Sequence, residues 1–227
     1  MTVILILATF ATFLFIDYLL SRKRVPQVAR EMAEIPKPAH SEVPAQLSPV
    51  VAGFKLPENL RYHPGHTWAL AESPQMVRVG IDDFAARLIG RASSVKLPLR
   101  GRWVRQGQTL MVVERDGAKA EIVSPMEGVV AGINEKVLQN PELALRDPYG
   151  EGWLVTVQSP DAKTNFRNLL SGGVARKWLE DAAASLRSRI PVLATAVAQD
   201  GGVAVEDIGR EMSNQEWSEL AREMFLT

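Results

Sequence analysis

The chain has 227 residues, 46% of them hydrophobic and 23% charged, a globular composition with length for one buried core and appendages. Its 26 Lys and Arg balance 26 Asp and Glu, so the basic excess of a nucleic-acid-binding surface is missing and no nucleic-acid partner is expected. Cysteine is absent, which excludes disulfides, thiol nucleophiles and cysteine-bound metals, and three histidines (His40, His63 and His66) fall short of a zinc set.

The chain opens on "MTVILILATFATFLFIDYLLSRKRVP". Val3 to Leu20 is apolar apart from Asp17 and two threonines, and as a helix it spans roughly 27 Å, close to the hydrocarbon thickness of a bilayer. Arg22, Lys23 and Arg24 follow at once and assign that end to the cytoplasm. A basic leader region and a small-residue cleavage site are both missing, so the run reads as an anchor and not as a cleaved signal. The expectation is a single-pass helix in a bacterial-type inner (cytoplasmic) membrane, with residues 3–20 in the bilayer and the rest of the chain facing the cytoplasm. Asp17 falls near the cytoplasmic end, where water or an arginine can reach its carboxylate. From Val25 to Pro57 the chain carries Pro26, Pro36, Pro38, Pro44, Pro49 and Pro57 and little apolar periodicity. This is an extended spacer with room for a short helix near Val28 to Ile35.

Beyond Leu56 short β-type runs alternate with glycine and proline: Met76–Ile81, Ser93–Pro98, Thr109–Glu114, Ala120–Pro125, Gly128–Ile133 and Trp153–Gln158. Between the first two, "DDFAARLIG" reads as a short helix capped by Asp82, with Phe84 and Leu88 on one face and Gly90 at its end. A helix start explains the adjacent acids Asp82 and Asp83. "LPLRGRWVRQGQTL" and "SPMEGVVAGINEKV" echo each other weakly and suggest a quasi-symmetric β-sandwich whose glycines serve turns or bulges. The residues contain no phosphate-loop or dinucleotide fingerprint, no triad and no carboxylate dyad, so a non-enzymatic protein is expected. His66 reads as a packed histidine, and Trp103 and Trp153 as core or half-buried aromatics.

The stretch "VVERDGAKAEIVSP", Val112 to Pro125, reads as a hairpin. Asp116-Gly117 suits a two-residue type I′ turn, which requires positive φ at both positions. That register sets Arg115 opposite Ala118 and Glu114 opposite Lys119, an oppositely charged cross-strand pair.

After Pro160 the pattern turns helical. Phe166, Leu169 and Leu170 share one side of a first segment. Trp178, Leu179, Leu186 and Ile190 stripe a second, which Pro191 stops. Near the C-terminus Ser213 and Glu216 form a capping box ahead of Trp217, Leu220 and Met224, with Phe225 beside them. This last helix either packs on the domain or docks a partner.

"RYHPGHTWAL", "VRVGIDDFAARLIG", "VKLPLRGRWVRQGQTL", "EIVSPMEGVV" and "INEKVLQNPELALRDPYGEGWL" together resemble the glycine cleavage system H protein, over roughly Leu60 to Leu170. The resemblance implies a mainly β, lipoyl-type barrel-sandwich hybrid with C-terminal helices. It also implies a carrier without catalysis of its own, whose lipoate rides on a lysine at a hairpin tip and shuttles an aminomethyl group. The family hairpin reads roughly ES-x-K-A before a strand ending in proline. Counting forward from Gly101, or back from Pro125, puts the carrier position at Gly117, while Glu114 matches the family glutamate. The cofactor expectation is therefore none at this site, with lipoate on Lys119 as the alternative in a shifted hairpin. The expected organisation is an anchor at 1–21, a linker at 22–55, the H-protein-like domain at 56–160, a helical extension at 161–190 and a tail at 191–227. The expected role is a membrane-anchored adaptor that binds another protein.

Overall fold

The computed structural model describes residues 49–190, 207–210 and 212–227. The apolar run at 3–20, the spacer as far as residue 48 and residues 191–206 lie outside them. Among the described residues no helix is long and apolar enough to cross a membrane.

A two-stranded ribbon, β1 (Val50–Val51) and β2 (Phe54–Lys55), precedes an antiparallel meander of β3 (Arg61–His63), β4 (Thr67–Ala71) and β5 (Met76–Ile81). Then come α1 (Asp83–Ile89), β6 (Ser94–Lys96), β7 (Trp103–Val104), β8 (Thr109–Arg115), β9 (Ala118–Val123) and β10 (Gly128–Ile133). Two short helices, α2 (Glu135–Gln139) and α3 (Glu142–Arg146), lead to β11 (Val155–Gln158), and α4 (Ala162–Arg167), α5 (Gly172–Arg189) and α6 (Asn214–Phe225) complete the order. Six strands form one sheet in the order β3-β4-β5-β11-β10-β7, and β6-β8-β9 form a second.

Local chemistry accounts for these elements. β5 alternates valines with Arg78 and Gly80, and Val77, Val79 and Ile81 are fully buried between neighbours β4 and β11. Asp82 stops the strand and starts α1, because its Oδ1 accepts the Ala85 N–H at 2.8 Å and satisfies an otherwise unpaired donor of the first turn. Phe84, Ala85, Leu88 and Ile89 turn into the core, and Gly90 closes the helix at φ +68. Trp68 on β4 is fully buried, and its Nε1 donates to the Pro148 carbonyl at 3.1 Å, which pins the "DPYGEGW" loop beneath the sheet.

The two echoing half-units meet directly. β7 pairs antiparallel with β10, Gly128 facing Val104 and Val129 facing Trp103. A Cβ at Gly128 would lie 2.3 Å from the Gln158 carbonyl oxygen, so only glycine permits this approach. Trp103 corrects the expectation of a core or half-buried aromatic. β7 is an edge strand two residues long, and its alternation turns Val104 inward and leaves Trp103 45% exposed. Residues 135–146 carry no periodic stripe long enough to announce a helix, yet they form α2 and α3. Asn134 caps α2 by accepting from the Lys136 N–H at 3.1 Å, and its Nδ2 donates to the carbonyls of Glu151 and Trp153 at 2.7 Å each.

Candidate functional site

The hairpin of β8 and β9 has the register that its turn residues dictate. Arg115 faces Ala118 and Glu114 faces Lys119, with Asp116 at φ +48 and Gly117 at φ +85 between them. Both central residues are left-handed, as a type I′ turn demands. An ideal Cβ built on Gly117 would find no heavy atom within 4 Å, so the tip points into open space. Lys119 stands on the returning strand. Alternation along the hairpin turns Met111, Val113, Arg115, Ala118, Ala120 and Ile122 inward, whereas Lys119 and Glu121 are exposed on the other face. The Lys119 Nζ lies 3.1 Å from Glu114 Oε1, and Ser94 on β6 donates to Glu114 Oε2 at 2.7 Å. The Ser94 hydrogen bond first, and then Lys119, hold the Glu114 carboxyl below its usual range.

The base of the tip is held from within. Arg115 is 5% exposed. Its Nη1 donates to the Ile89 carbonyl at 2.9 Å and its Nη2 to the Gly209 carbonyl at 2.8 Å. Nη1 also lies 3.0 Å from Asp207 Oδ1, but no directed hydrogen bond reaches that oxygen, so the contact is Coulombic. The guanidinium lies 5.7 Å from the centre of the Trp217 ring on α6, and Trp217 Nε1 donates to the Leu88 carbonyl at 2.9 Å. The α6 N-terminus closes over the turn: Ser213 and Glu216 form the capping box, and the residue after Ser213, Asn214, donates from Nδ2 to the Asp116 carbonyl at 2.7 Å. The Asp116 carboxylate lies 3.7 Å from Arg91. Sequence reasoning missed the Arg115 clamp, although a signal existed. Counting by two from Val113 makes Arg115 an inward-facing cation, and a buried cation requires partners. Of the two readings of α6, packing on the domain is the one observed: Trp217, Leu220, Ala221, Met224 and Phe225 are buried, and the helix lies against β9.

His66 is 1% exposed. Its Nδ1 lies 2.8 Å from Asp82 Oδ2, and its ring stacks on Phe84 with centroids 4.0 Å apart and tilts against Trp178 at 4.7 Å. Asp82 thus caps α1 with one oxygen and orients His66 with the other, a structural role for both. Its neighbour Asp83 accepts from Arg87 Nε and from the Lys55 N–H. His63 accepts the Gly65 N–H on its Nδ1 at 3.0 Å. Burial first, and then the neighbouring His66, push the His63 imidazole below its ordinary value. The neutral ring is the folded form, so its contribution is complete above the ordinary imidazole pKa and is lost as pH falls through the lowered one. His63→Asn, whose amide oxygen can still accept from Gly65, is expected to flatten the fall in stability on the acid side of pH ~6.5, as read by urea unfolding across that range. An unchanged slope would assign the acid sensitivity to other groups.

The family model of the glycine cleavage H-protein matches residues 60–182, more than half of the chain and including the whole hairpin. The chain belongs to the glycine cleavage H-protein family. Among curated relatives, the probable glycine cleavage system H protein of Aeropyrum pernix is 40% identical over 123 residues, which cover 53% of this chain and 85% of that protein. The glycine cleavage system H protein of Anaeromyxobacter sp. (strain K) is 35% identical over 128 residues, 56% of this chain and 98% of that protein. A crystal structure of the glycine cleavage system H protein from Mycobacterium marinum aligns at 29% identity, with a TM-score of 0.43, over 46% of this chain and 87% of that one. The H-protein match thus ends ahead of Asp207, Gly209 and α6, the residues that clamp the hairpin from outside it.

Proposed function

We propose that this H-protein family member is a membrane-tethered binding module that has lost the lipoyl arm at the hairpin tip and acts as a non-catalytic adaptor for another protein. The observation that carries the reading is the tip itself. H proteins carry lipoate as an amide on a lysine Nζ, and a glycine offers no amine. The tip of this hairpin is Asp116-Gly117, with Glu114 and Lys119 paired across the strands below it. The tether follows from the apolar run at residues 3–20 and the "RKR" that ends it. The adaptor role follows from a family fold retained around a tip without its reactive group. The domain is read as facing the cytoplasm from a bacterial-type inner membrane.

Lys119 supports a second reading, lipoate carried two residues past the tip. Its side chain is 57% exposed, and its ion pair to Glu114 lies at the surface. Intact-mass measurement of the protein from its own host, with peptide mapping across 115–125, decides between the two. The adaptor reading expects an unmodified peptide in cells whose other lipoyl proteins are modified. A lipoyl adduct on Lys119, lost in Lys119→Arg, would overturn it and make the chain a carrier.

A further inference from the structure

The chain is neutral overall, but its charge is uneven. From residue 84 to residue 113 there is no Asp or Glu, while Arg87, Arg91, Lys96, Arg100, Arg102 and Arg105 all fall in that interval. Arg87 and Arg91 are neutralised, by Asp83 and by Asp116 with Asp207. Arg100, Arg102 and Arg105 have no acidic partner among the described residues. Arg100 and Arg102 lie on the turn between β6 and β7 and Arg105 directly follows β7, and residues 99–103 are exposed without interruption. Leu99 in that turn is 77% exposed, and Trp103, the first residue of β7, is 45% exposed. A single exposed apolar side chain is ordinary; a leucine and a tryptophan among three unpaired arginines form a combination with a specific use.

The turn is also rigid. Gly101, at φ +85, donates its N–H to the Val130 carbonyl at 2.8 Å. The Val130 N–H donates to the Arg102 carbonyl at 2.9 Å, and the Arg102 N–H closes back on the Leu99 carbonyl at 3.1 Å. The side chains therefore project from a backbone already fixed against β10, and little ordering entropy opposes their docking.

We infer that this turn together with β7, Leu99 to Arg105, is a contact surface for anionic lipid. Tryptophan favours the headgroup level of a bilayer, leucine inserts below it, and unpaired guanidiniums take lipid phosphates in bidentate fashion. The inference rests on the tethered reading, because an anchor holds the domain at high effective concentration beside a cytoplasmic leaflet of negative surface potential.

The test uses the full chain reconstituted into vesicles of phosphatidylcholine, with or without about one third phosphatidylglycerol. The acyl chains carry bromine, and tryptophan emission is read on the floated fraction. Wild type is expected to be quenched in the anionic vesicles, with quenching that weakens as salt rises. Trp103→Phe is expected to lose it, because Trp68 and Trp217 are buried and Trp153 and Trp178 are partly so. Replacing Arg100, Arg102 and Arg105 by glutamine should cut the ratio of docked to undocked protein by about fivefold per arginine, on the order of a hundredfold together. A chain that floats unquenched, or is quenched equally in Trp103→Phe, overturns the lipid contact and leaves the tether standing. A chain that floats with neither vesicle overturns both.

Discussion

Trp217→Ala is expected to lower the unfolding free energy by about 3–5 kcal/mol, the usual cost of emptying a tryptophan-sized site. Trp217 is 1% exposed, sits among core residues and donates to the Leu88 carbonyl. Its removal leaves that carbonyl without the indole donor and takes away the ring beside the Arg115 guanidinium. Arg115 in turn holds the carbonyls of Ile89 and Gly209, so the loss spreads to the base of the hairpin tip. Urea unfolding measures the first effect. Amide exchange measures the second, with residues 112–121 expected to lose protection first. Trp217→Phe keeps most of the apolar volume and forfeits the N–H, so it should cost less. A loss under about 1 kcal/mol for the alanine variant would mean that α6 merely leans on the domain and could serve a partner instead.

This chain of contacts marks the boundary of what its residues disclose in linear order. The hairpin register is legible because it is local. Asp-Gly supports one turn geometry well, and that turn assigns every cross-strand pair, down to Glu114 against Lys119. The Asp82 and Ser213 caps are legible for the same reason, since a cap acts within three residues. Arg115 is not. Its partners come from α1 and from residues 207–209, more than ninety positions away in the second case, and no periodicity links them. Trp103 departs from its expectation because hydrophobicity alone does not mark an edge. Its exposure follows from β7 being the last strand of its sheet, a fact of topology. Helices α2 and α3 escape because five residues each are too few to repeat an apolar stripe. The candidate tip is thus readable as a turn, while the frame that fixes it has to be seen folded.

The second large effect concerns chemistry. Gly117→Lys is expected to convert the tip from a turn without an amine into a lipoylated one when the protein is made alongside lipoyl-transfer machinery. Two features of the turn allow it. A Cβ at residue 117 meets nothing within 4 Å, so the new side chain runs straight into solvent. The positive φ, +85, costs a non-glycine residue roughly 1–2 kcal/mol, which lies within the stability of an ordinary domain. The Asn214 contact to the Asp116 carbonyl involves neither the new side chain nor its amine and should persist. Peptide mass mapping across 115–125 gives the result, and the adduct is expected on the lysine introduced at position 117 and not on Lys119. On the adaptor reading, that outcome would reduce the proposed loss of the arm to one substitution in a tip still shaped for transfer. A folded variant whose introduced lysine stays unmodified would show instead that the surface around the tip, with α6 packed against β9 and Asn214 over the turn, no longer admits the transferring enzyme. The departure from the carriers would then reside in the C-terminal clamp as much as in the missing amine.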